Sequence, residues 1–426
     1  MRRGLALGVM LSCVTSSLTG QTLRNRLTDL FTFGNCGKVL CLDGSVSAAN
    51  GHGEHFLPDL IAGNSSLIGF LTDAIGATIA STPLAASSGG PATRLVGGLL
   101  VTRSTSSGPI LAERGQTLGR GNLFLGANLS GSSFRSFRGV PLDGIVLNFT
   151  HQDVGTPGLG DPVLENDVLE TRLDLNLNIL VTSLFATYGL ADNVDVSVAI
   201  PVVQASFQGR SQAQVFPFGS TAVHFFTGTL EDPGLIASST SYGTATGIGD
   251  VAVRVKANIV SQNDLAIAVM GDVRLPTGDE ENFLGAGYAS FRGLAVVSAH
   301  FGEFQPHVNL GYQVKAGGVR GDALLATLGF EQPMSSWATM LVDVVSEWEM
   351  SHGDLTIPAT IEYQFPFKRI IEPSNIPDRR DHQVAGSLGF KFQTAGPTLV
   401  TNALIPFYHG GLQPAVFWST GLEFTF

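Results

Sequence analysis

Three stretches of the sequence place charged side chains at every second position, so that a β-strand would bring them to one face. The members of this set are Glu170, Arg172, Asp174, Asp250, Arg254, Lys256, Asp272 and Arg274. Such a face could line a pore and tune its selectivity, or it could form cross-strand ion pairs that rigidify an interior. The mixed signs favour ion pairing. If these strands cross a membrane, an Arg or Lys facing lipid near the midplane would cost roughly 2–4 kcal/mol, so we expect all eight to be lumen-lining.

A second group of residues has the types that could bind a metal. His52 and His55 are spaced as i and i+3, with Glu54 between them. Glycines at 51 and 53 oppose the helix that such a motif needs, and the spacing differs from the i and i+4 pair of metalloproteases. We therefore expect no metal and no cofactor.

Two further sets of polar residues could form functional sites. The acidic stretch 279–281 follows a Thr-Gly pair and could bind calcium or bridge lipopolysaccharide, but a solvated loop tip explains it more simply. His300 and His307 flank a short turn that contains Glu303, which could make a hydrolytic dyad. No Gly-x-Ser-x-Gly elbow or other nucleophile signature accompanies them, so we expect a protein that is not an enzyme.

The N-terminus has the features of a secretory signal over residues 1–20. Arg2 and Arg3 form a basic start, followed by an apolar centre and an end of small residues. Its removal leaves two cysteines, Cys36 and Cys41. An even pair in an oxidising compartment favours a disulfide, and two thiols alone supply too few ligands for a metal.

Composition narrows the class of protein. The 426 residues are only 14% charged, the mean hydropathy is +0.24 and the net charge is −11. No basic patch suggests a nucleic-acid partner. Beyond the N-terminus we find no apolar run of the ~18 residues that a membrane helix needs. A chain that is apolar overall without such runs is typical of a transmembrane β-barrel, where apolar residues are dispersed at every second position.

The last ten residues, F-W-S-T-G-L-E-F-T-F, support this class. Leu422, Phe424 and Phe426 fall on one side of a strand, as expected for a closing barrel strand whose outer face meets lipid. We expect this strand to pair with a first strand near Thr93–Thr102. An outer-membrane assembly machinery would read this terminal pattern.

Period-2 stretches separated by turn signals fill residues 93–426 and predict an all-β fold. We expect a transmembrane antiparallel β-barrel of about 14 strands, within a range of 12–16, including strands near 93–104 and 143–151. Connections alternate between short turns and long loops, as in single-chain bacterial barrels. Residues 21–92 are Gly- and Ser-rich with mixed apolar spacing over 57–79. They predict a short, partly helical plug or periplasmic segment.

Four sequence stretches together resemble a known family. They are G-P-I-L-A-E-R-G-Q-T-L-G-R-G at 108–121, A-I-P-V-V at 199–203, G-I-G-D-V at 247–251 and R-L-P-T-G-D at 274–279. The set is similar to the outer-membrane β-barrel transporters labelled with the meta-pathway of phenol degradation. The resemblance implies passage of hydrophobic or aromatic compounds across the outer membrane. The N-terminal segment also resembles, in architecture, the hatch of fatty-acid-type outer-membrane transporters.

The leading hypothesis is a channel or transporter of the bacterial outer membrane for passive uptake of small hydrophobic or aromatic compounds. Its expected partners are outer-membrane lipid, lipopolysaccharide, the barrel assembly machinery and a small hydrophobic substrate. The main alternative is a structural or adhesive barrel that binds partners through long outer loops at 209–246 and 349–380. A barrel hydrolase is the third hypothesis.

Overall fold

The structure is a computed structural model of the chain. It describes residues 21–34, 36–42, 54–59, 61–80, 93–96, 99–102, 111–150, 167–218, 224–262, 264–351, 353–363, 368–408 and 410–426. The predicted secretory signal, residues 1–20, lies outside the described residues, as does His52.

Twelve antiparallel strands close into a ring, in which each strand pairs with its neighbours in sequence and the last pairs with the first. The ring strands are β1 Leu123–Phe137, β2 Val168–Ala191, β3 Val194–Phe216, β4 Val251–Gln262, β5 Leu265–Leu275, β6 Ser290–Ala299, β7 Gln305–Lys315, β8 Ala323–Pro333, β9 Ala338–Glu349, β10 Gln383–Gln393, β11 Thr398–Pro406 and β12 Leu412–Thr425. Closure removes the unpaired edges that lipid cannot satisfy.

The ring confirms the predicted barrel and sets its strand number at the lower end of the expected range. Two stretches expected as ring strands lie outside the ring. Thr93–Val96 pairs with Leu99–Thr102 as a small hairpin, apart from the ring. Ile145–Thr150 pairs with the outer part of β2. Period-2 alternation reports that a strand is half-buried, but it does not identify the strand's partner.

The closing strand therefore has a different partner from the expected one. β12 pairs with β1, from Thr425 opposite Phe124 to Leu412 opposite Phe137. The predicted outward face is confirmed, since Leu422, Phe424 and Phe426 are exposed on the barrel exterior.

The connections divide the barrel into two ends. Short turns join β2 to β3, β4 to β5, β6 to β7, β8 to β9 and β10 to β11. Long connections lie at the opposite end, which is the outer end in bacterial barrels. The connection after β3, predicted as a loop over 209–246, instead contains the strand Ile236–Ile248, which pairs with the outer part of β3.

The other elements are short. Val140–Pro141 pairs with β1, Thr227–Gly228 pairs with Pro233–Gly234, and Ile361–Tyr363 pairs with Arg369–Ile371. One 3-10 turn lies at Glu280–Asn282. Within the part of the chain that the structure describes, no helix is both long and apolar enough to cross a membrane.

Strands β2 and β3 are 24 and 23 residues long, far beyond the ~9–11 residues that a tilted membrane strand needs. Along each of these strands, the same alternate positions face outward from one end to the other. The outward side chains, however, change from apolar to polar half-way along the strand. On β3 the outward residues from Val196 to Val202 are apolar, whereas those from Gln204 to Gln214 are polar. The outer halves of these strands therefore extend past the hydrocarbon layer.

Because of this extension, three residues that were predicted to line the lumen do not face it. Glu170, Arg172 and Asp174 lie on the outer half of β2 and face away from the lumen, with the Arg172 side chain 68% exposed and paired with Glu170 at 2.8 Å. Their apolar neighbours Leu173 and Leu175 are buried instead. Above the hydrocarbon layer a charge costs nothing on the outer face, so the rule that forces charges inward does not apply there.

The inner face of the extension is covered by the described parts of the N-terminal segment, which lie within 23–34, 36–42, 54–59 and 61–80. This segment contains helix α1 (Leu23–Thr28), a 3-10 turn (Asp29–Phe31) and helix α2 (Ala62–Ala80). Phe31 packs edge-on against Phe149 at 5.7 Å, within a continuous core that includes the leucines of β2. Cys36 and Cys41 are joined by a disulfide in the same segment.

The position of the lipid boundary predicts that two outward substitutions to arginine differ in their effect on the free energy of unfolding. Leu184→Arg places a charge on the apolar half of β2 and should lower the free energy of unfolding by about 2–4 kcal/mol. Gln208→Arg, on the polar half of β3, should change it by less than about 0.5 kcal/mol. Denaturant titration in lipid vesicles measures both, and equal costs would place the boundary elsewhere.

Candidate functional site

An extended segment, residues 111–121, runs through the barrel lumen toward the periplasmic rim. The amide of Glu113 donates to Asn309 Oδ1 at 2.7 Å, and Asn309 Nδ2 donates back to the Glu113 carbonyl at 2.8 Å. Further along, the amide of Gly115 donates to Ser298 Oγ at 2.9 Å, and the amide of Leu118 donates to the Asp195 carboxylate at 3.1 Å. Inward side chains of three ring strands thus satisfy a backbone that has no sheet partner of its own.

A charge cluster surrounds this lumenal segment. Arg254 Nε donates to Asp272 Oδ2 at 2.7 Å across the β4–β5 pair. Glu113 lies 3.7 Å from Arg254 and 3.5 Å from Lys256, and Lys256 also lies 3.9 Å from Asp195. All five side chains are at most 8% exposed. Burial of charges on this scale is tolerable only because each has an opposite partner.

The structure brings five of the eight predicted lumen residues to the inner face: Asp250, Arg254, Lys256, Asp272 and Arg274 are all buried on inward positions. Asp250 sits at the outer rim, where its carboxylate accepts hydrogen bonds from the amides of Gly278 and Ala286 at 3.0 and 2.8 Å. It shapes the loop after β5 and does not join the charge cluster.

Several inward polar residues were missed from the sequence. Lys391 and Glu423 pair at 2.9 Å on β10 and β12, and His307 and Asp343 pair at 2.7 Å on β7 and β9. Their strand parity was a usable signal for these four. Glu113 carried no such signal, since its segment has neither strand periodicity nor helix periodicity.

The His307–Asp343 pair crosses an intervening strand, β8, at Gly329. The register places Gly329 opposite both residues. A Cβ at this position would lie 2.7 Å from His307 Nε2 and would also collide with Asp343. Glycine is thus required for the pair to form. His307 contacts Asp343 and not Glu303, which stays in an exposed turn, so the hydrolytic dyad suggested by His300, Glu303 and His307 is not assembled.

The other suggested sites have structural roles. His55 Nδ1 lies 2.9 Å from His224 Nε2, and His224 Nδ1 lies 2.8 Å from Asp167, which links the N-terminal segment to the outer end of β2. Asp279 caps the 3-10 turn by accepting from the Glu281 amide at 3.0 Å. Among the described residues, no group of three or more His, Cys, Asp or Glu is arranged to hold a metal.

A second charge cluster closes the outer rim around a cavity of about 200 Å³. Arg138 Nε donates to Asp381 at 2.8 Å and its guanidinium lies 5.1 Å from the Phe70 ring of α2. Arg320 Nε donates to Glu349 at 2.8 Å. Burial alone would lower the pKa of Arg320, but Glu347 and Glu349 outweigh it and hold that pKa above its usual value. The cluster ties the long loop after β9 to the barrel and to α2.

A separate cavity of about 200 Å³ lies in the lumen beside the charge cluster. Its apolar wall is formed by Leu111, Met270, Leu294, Leu325, Val345 and Leu404. Its charged wall is formed by Glu113, Arg254, Asp272, Arg274, Arg292 and Glu347. The cavity is smaller than the ~300–1,000 Å³ of drug-sized sites, so it fits a small solute.

Comparisons with known proteins find one family model and several solved structures that are similar to this chain. The model of the family described as "Putative MetA-pathway of phenol degradation" matches residues 158–342, which is the family suggested by the sequence motifs. No curated protein sequence matches the chain.

Among solved structures, an outer-membrane channel from Pseudomonas putida F1 is similar, with 12% identity and a TM-score of 0.41, over 73% of this chain and 98% of the channel. A FadL homologue from Pseudomonas aeruginosa has 10% identity and a TM-score of 0.33, over 72% and 89%. The P. putida toluene transporter TodX has 10% identity and a TM-score of 0.31, over 72% and 89%.

The architecture settles the location. An even number of antiparallel strands closes a ring with an apolar exterior belt. Short turns at one end and long connections at the other complete the pattern of bacterial outer-membrane barrels. The protein is an outer-membrane β-barrel.

The glycine between His307 and Asp343 gives a direct test of the lumen geometry. Gly329→Ala should destabilise the barrel by about 1–3 kcal/mol, because the added methyl overpacks against His307 and the β9 backbone. Gly293→Ala is the matched control, since a Cβ at Gly293 meets no atom within 4 Å. Denaturant midpoints in vesicles compare the two, and an unaffected Gly329 variant would refute the close approach.

Proposed function

We propose that this protein is a channel for passive uptake of small hydrophobic and aromatic compounds. The observation that carries the proposal is the small lumen cavity with an apolar wall, bounded by Leu111 of the lumenal segment and by ring residues such as Leu325 and Val345. A wide, water-filled pore for sugars would be lined by polar residues throughout. The match to the phenol-degradation family supports the same class of solute.

The proposed mechanism needs no energy source and no cofactor. A solute would move down its gradient, leaving water for the apolar wall at a gain of roughly 25 cal/mol per Å² of apolar surface. The N-terminal segment over the outer extension and the lumenal segment would act as a plug that narrows the path. Both are held by hydrogen bonds to the ring, such as Ser211 Oγ of β3 to the Leu30 carbonyl at 2.5 Å and Asn309 Nδ2 of β7 to the Glu113 carbonyl at 2.8 Å.

Uptake measurements test this function. In a bacterial host that lacks its own porins, expression should raise uptake of radiolabelled toluene while uptake of lactose stays at background. Leu325→Asn should lower toluene uptake, since it places an amide in the apolar wall. Thr327→Val, which makes another lining residue of the same cavity apolar, should preserve or raise it. In planar bilayers we expect only a small steady conductance. A large conductance, or toluene uptake that matches the empty host, would disprove the proposal.

Two expected partners follow from the exterior. We infer that lipopolysaccharide surrounds the polar outer halves of β2 and β3, which rise above the hydrocarbon layer with residues such as Arg172 and Arg210 on their outward face. We also infer that the barrel assembly machinery recognises the terminal strand through its exposed aromatic residues, Phe424 and Phe426, which stack at 6.3 Å.

Assembly can be tested at the terminus. Phe426→Ser should lower the fraction of protein that reaches the membrane as a heat-modifiable barrel, because it removes the last exposed aromatic of the terminal strand. Thr425→Ser is the control at the neighbouring position. Gel mobility of unheated and boiled membrane fractions reports the folded fraction, and equal fractions for the two variants would contradict recognition through Phe426.

A further inference from the structure

The lumen cavity has two chemically different walls. Leu294, Leu325 and Val345 belong to its apolar side, and Arg254, Arg274 and Arg292 bring three guanidinium groups to the other side. Arg254 and Arg274 are buried and Arg292 is half-buried, and a channel for neutral hydrocarbons alone would have no use for such cations, which are costly to remove from water.

The carboxylates that line the cavity already have partners. Asp272 accepts from Arg254 at 2.7 Å, and Glu113 lies 3.5 Å from Lys256. Glu347 accepts from Lys315 at 2.8 Å and lies 3.3 Å from Arg320. None of these carboxylates forms an ion pair with Arg292, although Asp272 lies directly opposite it in the β5–β6 register.

Arg292 differs from its neighbours. Among the residues that the structure describes, no carboxylate forms an ion pair with its guanidinium, and its buried Nε has no hydrogen-bond acceptor. The sequence between Asp73 and Glu113 contains no Asp or Glu, so this stretch of the N-terminal region supplies no counter-ion either. A guanidinium offers five donors in a planar fork that matches a carboxylate.

We propose that the cavity binds small amphipathic carboxylates, with the acid group on Arg292 and an aromatic or short aliphatic body on the apolar wall. This inference rests on the proposed uptake function and narrows its substrate class. The cavity volume of about 200 Å³ accommodates a single-ring acid and excludes a long acyl chain. Binding would supply the hydrogen-bond acceptor that the buried Nε of Arg292 lacks.

Benzoate and benzamide test the proposal, because they share a ring and a planar head group but differ in charge. Calorimetry on the purified full-length protein should show tighter binding of benzoate. Arg292→Gln should weaken benzoate binding by about tenfold or more and leave benzamide unchanged, since a charge-assisted hydrogen bond is lost. Arg292→Lys should retain part of the preference. Arg172→Gln, which removes an exposed arginine outside the lumen, should have no effect.

The outcomes separate the two proposals. Equal affinity of the native protein for benzoate and benzamide, or unchanged benzoate binding by Arg292→Gln, overturns the carboxylate site. If toluene uptake persists in that case, the general uptake function stands. If neither toluene nor benzoate enters the host, the uptake function itself fails. Heat-modifiable gel mobility shows that each variant is folded, and Arg292→Lys tests the charge where Arg292→Gln does not fold.

Discussion

The thickness of the hydrocarbon layer is the constraint on which the rest of the structure depends. Within that layer every backbone group must be paired inside the protein, which forces closure of the ring from β1 to β12. The same layer requires apolar residues on the exterior and so sends polar residues inward. Above the hydrocarbon layer this requirement ends. On the same continuous strands, the outward residues become polar and the inward residues become apolar. On β3, outward Ile200 is followed by outward Gln204 and Arg210, while inward Ser197 is followed by inward Phe207.

Once polar groups are inside, they determine what else the lumen can hold. Inward Asn309, Ser298 and Asp195 provide hydrogen bonds for an extended backbone, and the buried ion pairs fix the side chains around it. The outer half has an apolar inner face and therefore holds the apolar residues of α1 and α2. The barrel therefore holds the lumenal segment in the half with a polar inner face, and α1 and α2 in the half with an apolar inner face.

The sequence predicted the class of fold and the faces of most membrane strands, because lipid imposes a simple alternation. It correctly placed Arg254 and Asp272 inward on β4 and β5 and Phe424 outward on β12. It misplaced Glu170, Arg172 and Asp174 because alternation alone does not reveal where a strand leaves the membrane. It could not reveal Glu113 or the pairing of β12 with β1, since both depend on contacts between residues far apart in the chain.

The seam of the ring has a consequence for the order of folding. Leu123 and Phe426 exchange two backbone hydrogen bonds at the periplasmic rim, so the ring is complete only when its first and last strands meet. The lumenal segment immediately precedes Leu123 and already lies within the ring. The lumenal segment must therefore be in place before the seam closes, or else be threaded into a finished pore only as wide as its contents. In the first case the segment is a core that the wall surrounds, and closure of the seam is the step that traps it.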